Sequence, residues 1–162
     1  MNLRGLKIWG ILLVVVFMLG SLASAAPVKV TFWHSMGGDI KNVMDGLIDE
    51  FNSIQSEVLV EPIYRGSYPE VLNAAIASAR AGTAPNLVQI YEVGTLGAID
   101  SGAFVPIDEF LDAEEVDWSD YIDAVFNYYQ VAGQQWSMPF NSSSAILYIN
   151  ADLFRQAGLD PL

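Results

Sequence analysis

Three polar clusters in this sequence stand where apolar, strand-like runs end. They are Trp33-His34-Ser35, Glu92, and Asn141-Ser142-Ser143-Ser144. A carboxylate accepts hydrogen bonds from ligand hydroxyls, whereas a serine hydroxyl both donates and accepts. Because ligands of open parallel α/β sheets collect beyond the carboxyl ends of the strands, we expect Glu92 to form one wall of a ligand cleft.

A further candidate, Tyr68, stands at a predicted helix start, where free backbone N–H groups favour anions. The hydroxyls of Tyr68 and Ser143 can donate to a phosphate or sugar oxygen, and Trp33 can stack on a sugar ring or on glycerol carbons. Each residue also suits a purely structural role. Trp33 fits a core position, Tyr68 fits packing at the helix start, and residues 141–144 fit a turn.

The same residues allow a second interpretation, a secreted hydrolase. In it His34 is a general base, Ser143 is a nucleophile and Glu92 orients the base. The sequence contains no nucleophile elbow, P-loop, GxGxxG or HExxH motif. Since no residue spacing supports a catalytic triad, the sequence favours a binding protein over an enzyme.

Alternating strand and helix patterns position these side chains. Residues 28–34, 58–63 and 87–91 have the composition of strands, and helices are predicted between them and after the third. The resulting β-α-β-α-β-α order predicts a parallel sheet with helices on its faces and right-handed crossovers. Helical spacing predicts two inner faces. They consist of Ile40, Val43, Met44, Leu47, Ile48 and Phe51 in the first helix, and Val71, Leu72, Ala75, Ile76 and Ala79 in the second.

The pattern changes after Gly102. A helix is predicted over 118–129 and strands over 133–138 and 145–149, with a last helix over 151–157. Residues 159–161 have the pattern of a loop that leads onward rather than that of a finished terminus. We therefore expect a truncated chain whose second lobe lies beyond Leu162.

Composition indicates a globular protein and disfavours several partners. Of the 162 residues, 52% are hydrophobic and 16% are charged, and the formal net charge is -12. This acidity, without a basic stripe, argues against nucleic acid and against anionic membrane surfaces as partners. With no cysteine and a single histidine, thiolate and multi-histidine metal sites are not available, so we expect no metal and no cofactor.

The N-terminus has the pattern of a secretory signal. Arg4 and Lys7 precede an uncharged apolar stretch over 8–22, and the small residues Ala23-Ser24-Ala25 follow. We expect residues 1–25 to be a signal peptide that is cleaved after Ala25. The alternative, an uncleaved membrane anchor, is disfavoured by the well-formed small-residue end.

Five motifs complete the sequence picture: Phe32-Trp33-His34-Ser35-Met36, Tyr64-Arg65-Gly66-Ser67-Tyr68, Gly82-Thr83-Ala84-Pro85, Gln89-Ile90-Tyr91-Glu92-Val93-Gly94-Thr95 and Pro139-Phe140-Asn141-Ser142-Ser143. Together they resemble the glycerol-3-phosphate-binding proteins of bacterial ABC importers, a branch of the extracellular solute-binding proteins that also serve sugars. The Trp-His-Ser-Met, Tyr-Glu-Val-Gly and Phe-Asn-Ser-Ser stretches are the most particular to this branch.

The resemblance implies an α/β, periplasmic-binding-protein-like (type II) fold with two lobes that close on the ligand by a hinge motion. Residues 26–143 would then hold most of the N-terminal lobe, with a mostly parallel sheet and flanking helices. Residues 144–162 would hold a hinge strand and the start of the second lobe.

The resemblance also implies a function. A monomer in the periplasm would capture sn-glycerol-3-phosphate or a glycerophosphodiester and deliver it to the membrane subunits of an ABC permease. A sugar or oligosaccharide is the alternative ligand. A phosphate-pairing arginine of the family would lie beyond residue 162. Tyr68, Glu92 and Ser143 match the family's ligand contacts, and the additional cleft candidates are Trp33, His34, Asn141 and Ser142.

Overall fold

A parallel three-stranded sheet organises the first half of the chain in the computed structural model, which describes residues 26–111, 116–143 and 145–161. Its strands β1 (Val28–His34), β2 (Val58–Tyr64) and β3 (Leu87–Val88) lie in the order β2-β1-β3. Helix α1 (Gly38–Ile54) connects β1 to β2, and α2 (Tyr68–Arg80) connects β2 to β3. The predicted alternation of strands and helices in a parallel sheet is therefore confirmed.

The chain divides into two units, Met1–Gln89 and Ile90–Leu162. The sheet belongs to the first unit. The predicted signal peptide lies outside the described residues, and so does Ser144. Cleavage after Ala25 and a lobe boundary between residues 143 and 144 stay predictions. No helix in the described ranges has the length and apolar character needed to cross a membrane.

Strand β3 is shorter than its apolar run suggests. The sequence predicts a strand over 87–91, whereas the ladder pairs only Leu87 and Val88 with β1. The Gln89 N–H still donates to the Trp33 carbonyl at 2.8 Å, and the 3₁₀ turn Glu92–Gly94 follows. The chain therefore leaves the sheet a few residues before the candidate acid.

Two side-chain amides bond to the outer side of β2: that of Asn52 in α1 and that of Gln55, the residue after α1. The Asn52 amide donates to the Val60 carbonyl and accepts from the Val60 N–H, both at 2.9 Å. Gln55 makes the same pair of bonds to Val58, at 2.7 and 2.8 Å. Two residues after Val60, Pro62 has no N–H to satisfy, as suits an edge strand. The outward backbone groups of Val58 and Val60 are thus satisfied without a further strand.

Helix α1 buries a narrower face than its apolar pattern predicts. Met44 is buried and Ile48 is half-buried. The other apolar side chains form an outward stripe that is 43–74% exposed: Ile40, Val43, Leu47, Phe51 and Ile54. The prediction of an inner face that includes Ile40, Val43, Leu47 and Phe51 is wrong in the described structure. Near the end of α1, the residues that face β2 are Asn52 and Gln55, whose amides bond to Val60 and Val58.

Helix α2 buries most of its predicted face, with Ile76 and Ala79 half-buried. Val71, Leu72 and Ala75 are 0%, 8% and 2% exposed, and Met36 and Met44 are other buried apolar residues of the first unit. A β-α-β unit requires such a face because its helix must cover one side of the parallel sheet.

The second unit is built from short elements. They are α3 (Thr95–Asp100), α4 (Asp123–Tyr128), α5 (Ala151–Gln156), the hairpin of β4 (Gln130–Val131) and β5 (Gln134–Gln135), and 3₁₀ turns at Ile107–Glu109 and Trp118–Asp120. Positive φ angles at Ala132 and Gly133, 53° and 80°, match a two-residue hairpin turn.

Three predicted elements of this unit differ from the structure. The helix predicted over 118–129 is divided into a 3₁₀ turn and α4. Of the strand predicted over 133–138, only β5 (Gln134–Gln135) is formed in the described structure. Residues 145–149 form no strand with the other described residues, and Leu147 and Tyr148 are 89% and 87% exposed. The β-propensity of that segment has no pairing partner here, and a strand needs one to form.

Candidate ligand-binding site

Hydrogen bonds outside the ladder hold the carboxyl ends of the three strands together. The Arg65 N–H donates to the His34 carbonyl at 2.9 Å, and the Ser35 N–H donates to the side-chain oxygen of Gln89 at 3.0 Å. Gln89 is only 6% exposed. We call residues 33–36, 64–68 and 89 the carboxyl rim. It is a fixed edge at the place where α/β sheets hold ligands.

His34 lies beneath this rim and is fully buried. The Met36 N–H donates to its Nδ1 at 3.2 Å, so the neutral ring carries its proton on Nε2. Nε2 is buried and has no hydrogen-bond partner in the described ranges. The rings of Phe32 and Tyr64 lie 5.6 and 6.0 Å from the imidazole, centroid to centroid. His34 therefore supports the rim from inside, and its role as a cleft residue stays a prediction.

Burial lowers the pKa of His34 below its ordinary value; the positive charge of Lys41 acts in the same direction, and Asp45 opposes it. The unfolded chain therefore binds this proton more tightly than the folded chain. We expect stability to fall as the pH drops below about 6.5, until the folded-state pKa is passed. In His34→Gln this proton site is absent, so the urea midpoint should change less between about pH 7.5 and pH 5. Equal slopes for the two proteins would contradict the assignment.

Trp33 and Arg65 form a stacked pair on the rim. Trp33 is 7% exposed, and the guanidinium carbon of Arg65 lies 3.9 Å from a ring centroid of Trp33. A cation over an indole face is attracted by the ring quadrupole. One face of Trp33 is thus covered by the chain itself. Stacking of Trp33 on a ligand stays a prediction.

Tyr68 is half-buried at the first position of α2. The Glu70 carboxylate occupies the same helix end, where it accepts from the Ser67 N–H and from the Ser67 hydroxyl, both at 2.7 Å. The Ser67 hydroxyl, and then its N–H, lower the pKa of Glu70. Gly66 has a φ of +88°, and a side chain there would collide with this carboxylate. The N-terminus of α2 therefore already holds an internal negative charge.

In the second unit, Glu92 is half-buried at the start of its 3₁₀ turn. The Tyr128 hydroxyl donates to the Glu92 carbonyl at 3.5 Å. Tyr129 is 5% exposed, and its pKa is raised first by burial and then by the charge of Glu92. The ion pairs formed by described residues do not include Glu92. Its carboxylate therefore remains able to accept hydrogen bonds from a ligand.

Asn141, Ser142 and Ser143 lie in an exposed segment without helix or strand. They share the second unit with Glu92, whereas Tyr68, Trp33 and His34 belong to the first. Within the first unit, the parallel register places His34 opposite Tyr64, next to the Arg65–Tyr68 turn. Convergence of Tyr68 with Glu92 and Ser143 stays a prediction. The described residues contain no cluster of His, Cys, Asp or Glu suited to a metal ion.

Sequence reasoning missed Arg65, Gln89 and Tyr129. Arg65 directly follows a strand, so the rule that singled out Glu92 could have found it. Gln89 lay inside the predicted third strand, and its polar side chain among apolar neighbours was a usable sign of a buried hydrogen bond. Tyr129 ends an apolar helical pattern and carried no comparable signal.

Comparison with known proteins identifies the family. The family model for bacterial extracellular solute-binding proteins matches residues 37–161. The chain belongs to this family. Among its curated relatives, the sn-glycerol-3-phosphate-binding periplasmic protein of Pectobacterium atrosepticum is 43% identical over 151 residues, which are 91% of this chain and 34% of the relative. The protein of the same name from Salmonella paratyphi A is 42% identical over 140 residues, 84% of this chain and 32% of the relative.

The chain thus spans about a third of the length of the curated relatives that it matches. Among solved structures, the cyclic α-maltosyl-1,6-maltose binding protein of Arthrobacter globiformis matches it with a TM-score of 0.63 and 26% identity, over 83% of this chain and 34% of that one. The predicted fold class, α/β of the type II periplasmic binding proteins, is confirmed.

Proposed function

We propose that this chain is part of the extracytoplasmic solute-binding component of an ABC importer, which captures sn-glycerol-3-phosphate or a glycerophosphodiester and delivers it to the membrane permease. The observation that carries this proposal is the 43% identity, over 91% of the chain, to a periplasmic protein named for binding sn-glycerol-3-phosphate. The protein would act in the periplasm as a monomer without a cofactor, after cleavage following Ala25.

In this proposal the ligand is held by the polar side chains of Tyr68, Glu92 and Ser143. Glu92 accepts from the glycerol hydroxyls, because a carboxylate facing the phosphate would repel it. The hydroxyls of Tyr68 and Ser143 donate to ligand oxygens. The half-burial of Glu92 beside Tyr129 supports this role, since a partly desolvated carboxylate forms stronger hydrogen bonds than one in bulk water.

A sugar or oligosaccharide is the second candidate ligand. The fold likeness to a binding protein for cyclic α-maltosyl-1,6-maltose favours it. The sequence identity to that protein is 26%, against 43% for the sn-glycerol-3-phosphate-binding relative. Higher identity over a larger share of the chain supports the phosphate ester as the first choice.

Isothermal titration calorimetry on the whole protein that carries this sequence tests the two ligands. We expect tight binding of sn-glycerol-3-phosphate or of a glycerophosphodiester, and none of maltose. The reverse result would replace the phosphate ester by a sugar. Hydrolysis of an ester substrate that is lost in Ser143→Ala would instead identify an enzyme.

Tyr68→Phe tests the tyrosine directly. It removes the phenolic hydroxyl that would donate to the ligand and keeps the aromatic ring at the start of α2. A hydrogen bond to a charged group contributes about 1.5–3 kcal/mol, so we expect the affinity for sn-glycerol-3-phosphate to fall by about 10- to 100-fold. Tyr121→Phe is the matched control, since that ring packs against Trp118 and Phe126. Unchanged affinity in Tyr68→Phe would remove Tyr68 from the site.

A further inference from the structure

Both the backbone and the side chain of Arg65 are held at the carboxyl rim. Its N–H donates to the His34 carbonyl at 2.9 Å, and its guanidinium stacks on the buried Trp33 ring at 3.9 Å. A stacked guanidinium keeps its N–H donors in the plane of the group, where they remain open to a second partner. Arg65 is exposed, so such a partner can come from solvent.

Arg65 differs from three other basic residues in its lack of an acidic partner within the described ranges. Among the described residues, Lys29, Lys41 and Arg155 are paired with Glu61, Asp45 and Asp152, whereas Arg65 takes part in no ion pair. The only other arginine in the described part of the first unit, Arg80, stands in the last turn of α2. Because α2 runs back against the strands, that turn lies at the opposite edge of the sheet from the carboxyl rim.

The N-terminus of α2, which lies close to Arg65 in the sequence, is less suited to binding an external anion. The Glu70 carboxylate takes the Ser67 N–H and hydroxyl at the N-terminus of α2. An incoming phosphate would meet this negative charge there. Among the described groups of the rim, the guanidinium of Arg65 is the one that carries a positive charge suited to a phosphate.

We propose that Arg65 is a specificity-determining residue: seated on Trp33, it binds the phosphate group of the ligand through its guanidinium. This inference rests on the proposed function and adds to it a phosphate contact from the first unit. Arginine suits the task because its planar fork matches two phosphate oxygens, whereas lysine provides a point charge and stacks less well on the indole.

Calorimetry on the whole protein tests this role with Arg65→Gln, Arg65→Lys and the control Arg80→Gln. We expect Arg65→Gln to weaken sn-glycerol-3-phosphate by about 10- to 100-fold, and Arg65→Lys by about 3- to 10-fold. Arg80→Gln should stay within about twofold of the unchanged protein. Circular dichroism unfolding curves confirm that each variant is folded.

The ligand's charge separates phosphate binding from a packing role. A phosphate monoester gains its second negative charge near about pH 6, whereas a phosphodiester such as glycerophosphocholine does not. In the unchanged protein, the affinity for sn-glycerol-3-phosphate should rise between about pH 5 and pH 7.5 more steeply than in Arg65→Gln. If Arg65→Gln weakens both ligands equally at all pH values, Arg65 acts through packing and the proposal is overturned.

Two results distinguish failure of this inference from failure of the proposed function. If Glu92→Ala loses sn-glycerol-3-phosphate and Arg65→Gln binds it as the unchanged protein does, the role of Arg65 is wrong and the proposed function stands. If the unchanged whole protein binds maltose and no phosphate ester, the proposed function itself fails, and the inference about Arg65 fails with it.

Discussion

Replacing Trp33 by alanine is expected to lower the free energy of unfolding by about 3–5 kcal/mol. The ring is 7% exposed at the end of the central strand, so its removal leaves a cavity that its neighbours fill only in part. It also removes the seat of the Arg65 guanidinium. Urea unfolding followed by circular dichroism measures the change.

Two further substitutions make the Trp33 result specific. Trp33→Phe keeps an apolar ring and should cost less than Trp33→Ala. Phe110 is 69% exposed, so Phe110→Ala should cost less than about 1 kcal/mol. If Trp33 is instead mainly a ligand wall, Trp33→Ala will weaken ligand binding and leave the unfolding midpoint unchanged, which would refute the core assignment.

Glu92→Ala is expected to weaken ligand binding by about 30- to 150-fold, or about 2–3 kcal/mol. The carboxylate is half-buried, no ion pair in the described chain includes it, and it follows the strand that borders the central one. Removing it would leave ligand hydroxyls without acceptors in a closed site, and unpaired buried polar groups are costly. Calorimetry with sn-glycerol-3-phosphate on the whole protein measures this loss.

Asp100→Ala is the matched control for Glu92→Ala. Asp100 is an exposed acid of the same unit at the end of α3, so its removal should leave affinity unchanged. Glu92→Gln adds an internal check. The charge of Glu92 contributes to the raised pKa of Tyr129, so that pKa should move down in this variant. If Asp100→Ala and Glu92→Ala lose equal affinity, the effect is one of net charge rather than of a ligand contact.

The parallel sheet was predictable from the sequence because its signals are local and repeated. Strands β1 and β2 combine β-branched and aromatic residues, and the buried face of α2 follows helical spacing. The family resemblance was equally accessible, since its motifs are short runs of neighbouring residues. The match of the family model over residues 37–161 confirms that inference.

Other features depend on partners that a linear pattern does not name. Helix α1 has apolar residues around much of its surface, and the amides of Asn52 and Gln55 decide which side faces β2. Residues 145–149 have the composition of a strand but lack a neighbour in the described chain. The sequence alone is typical of a turn at Arg65, whereas the stacking of its guanidinium on Trp33 places it on the carboxyl rim.

The amides of Asn52 and Gln55 also protect the β2 edge of the sheet against pairing with a further strand. Because these amides bond to the outward N–H and C=O groups of Val58 and Val60, an added strand would have to displace them to pair with that part of β2. Edge-to-edge pairing of two copies through this part of β2 is therefore disfavoured.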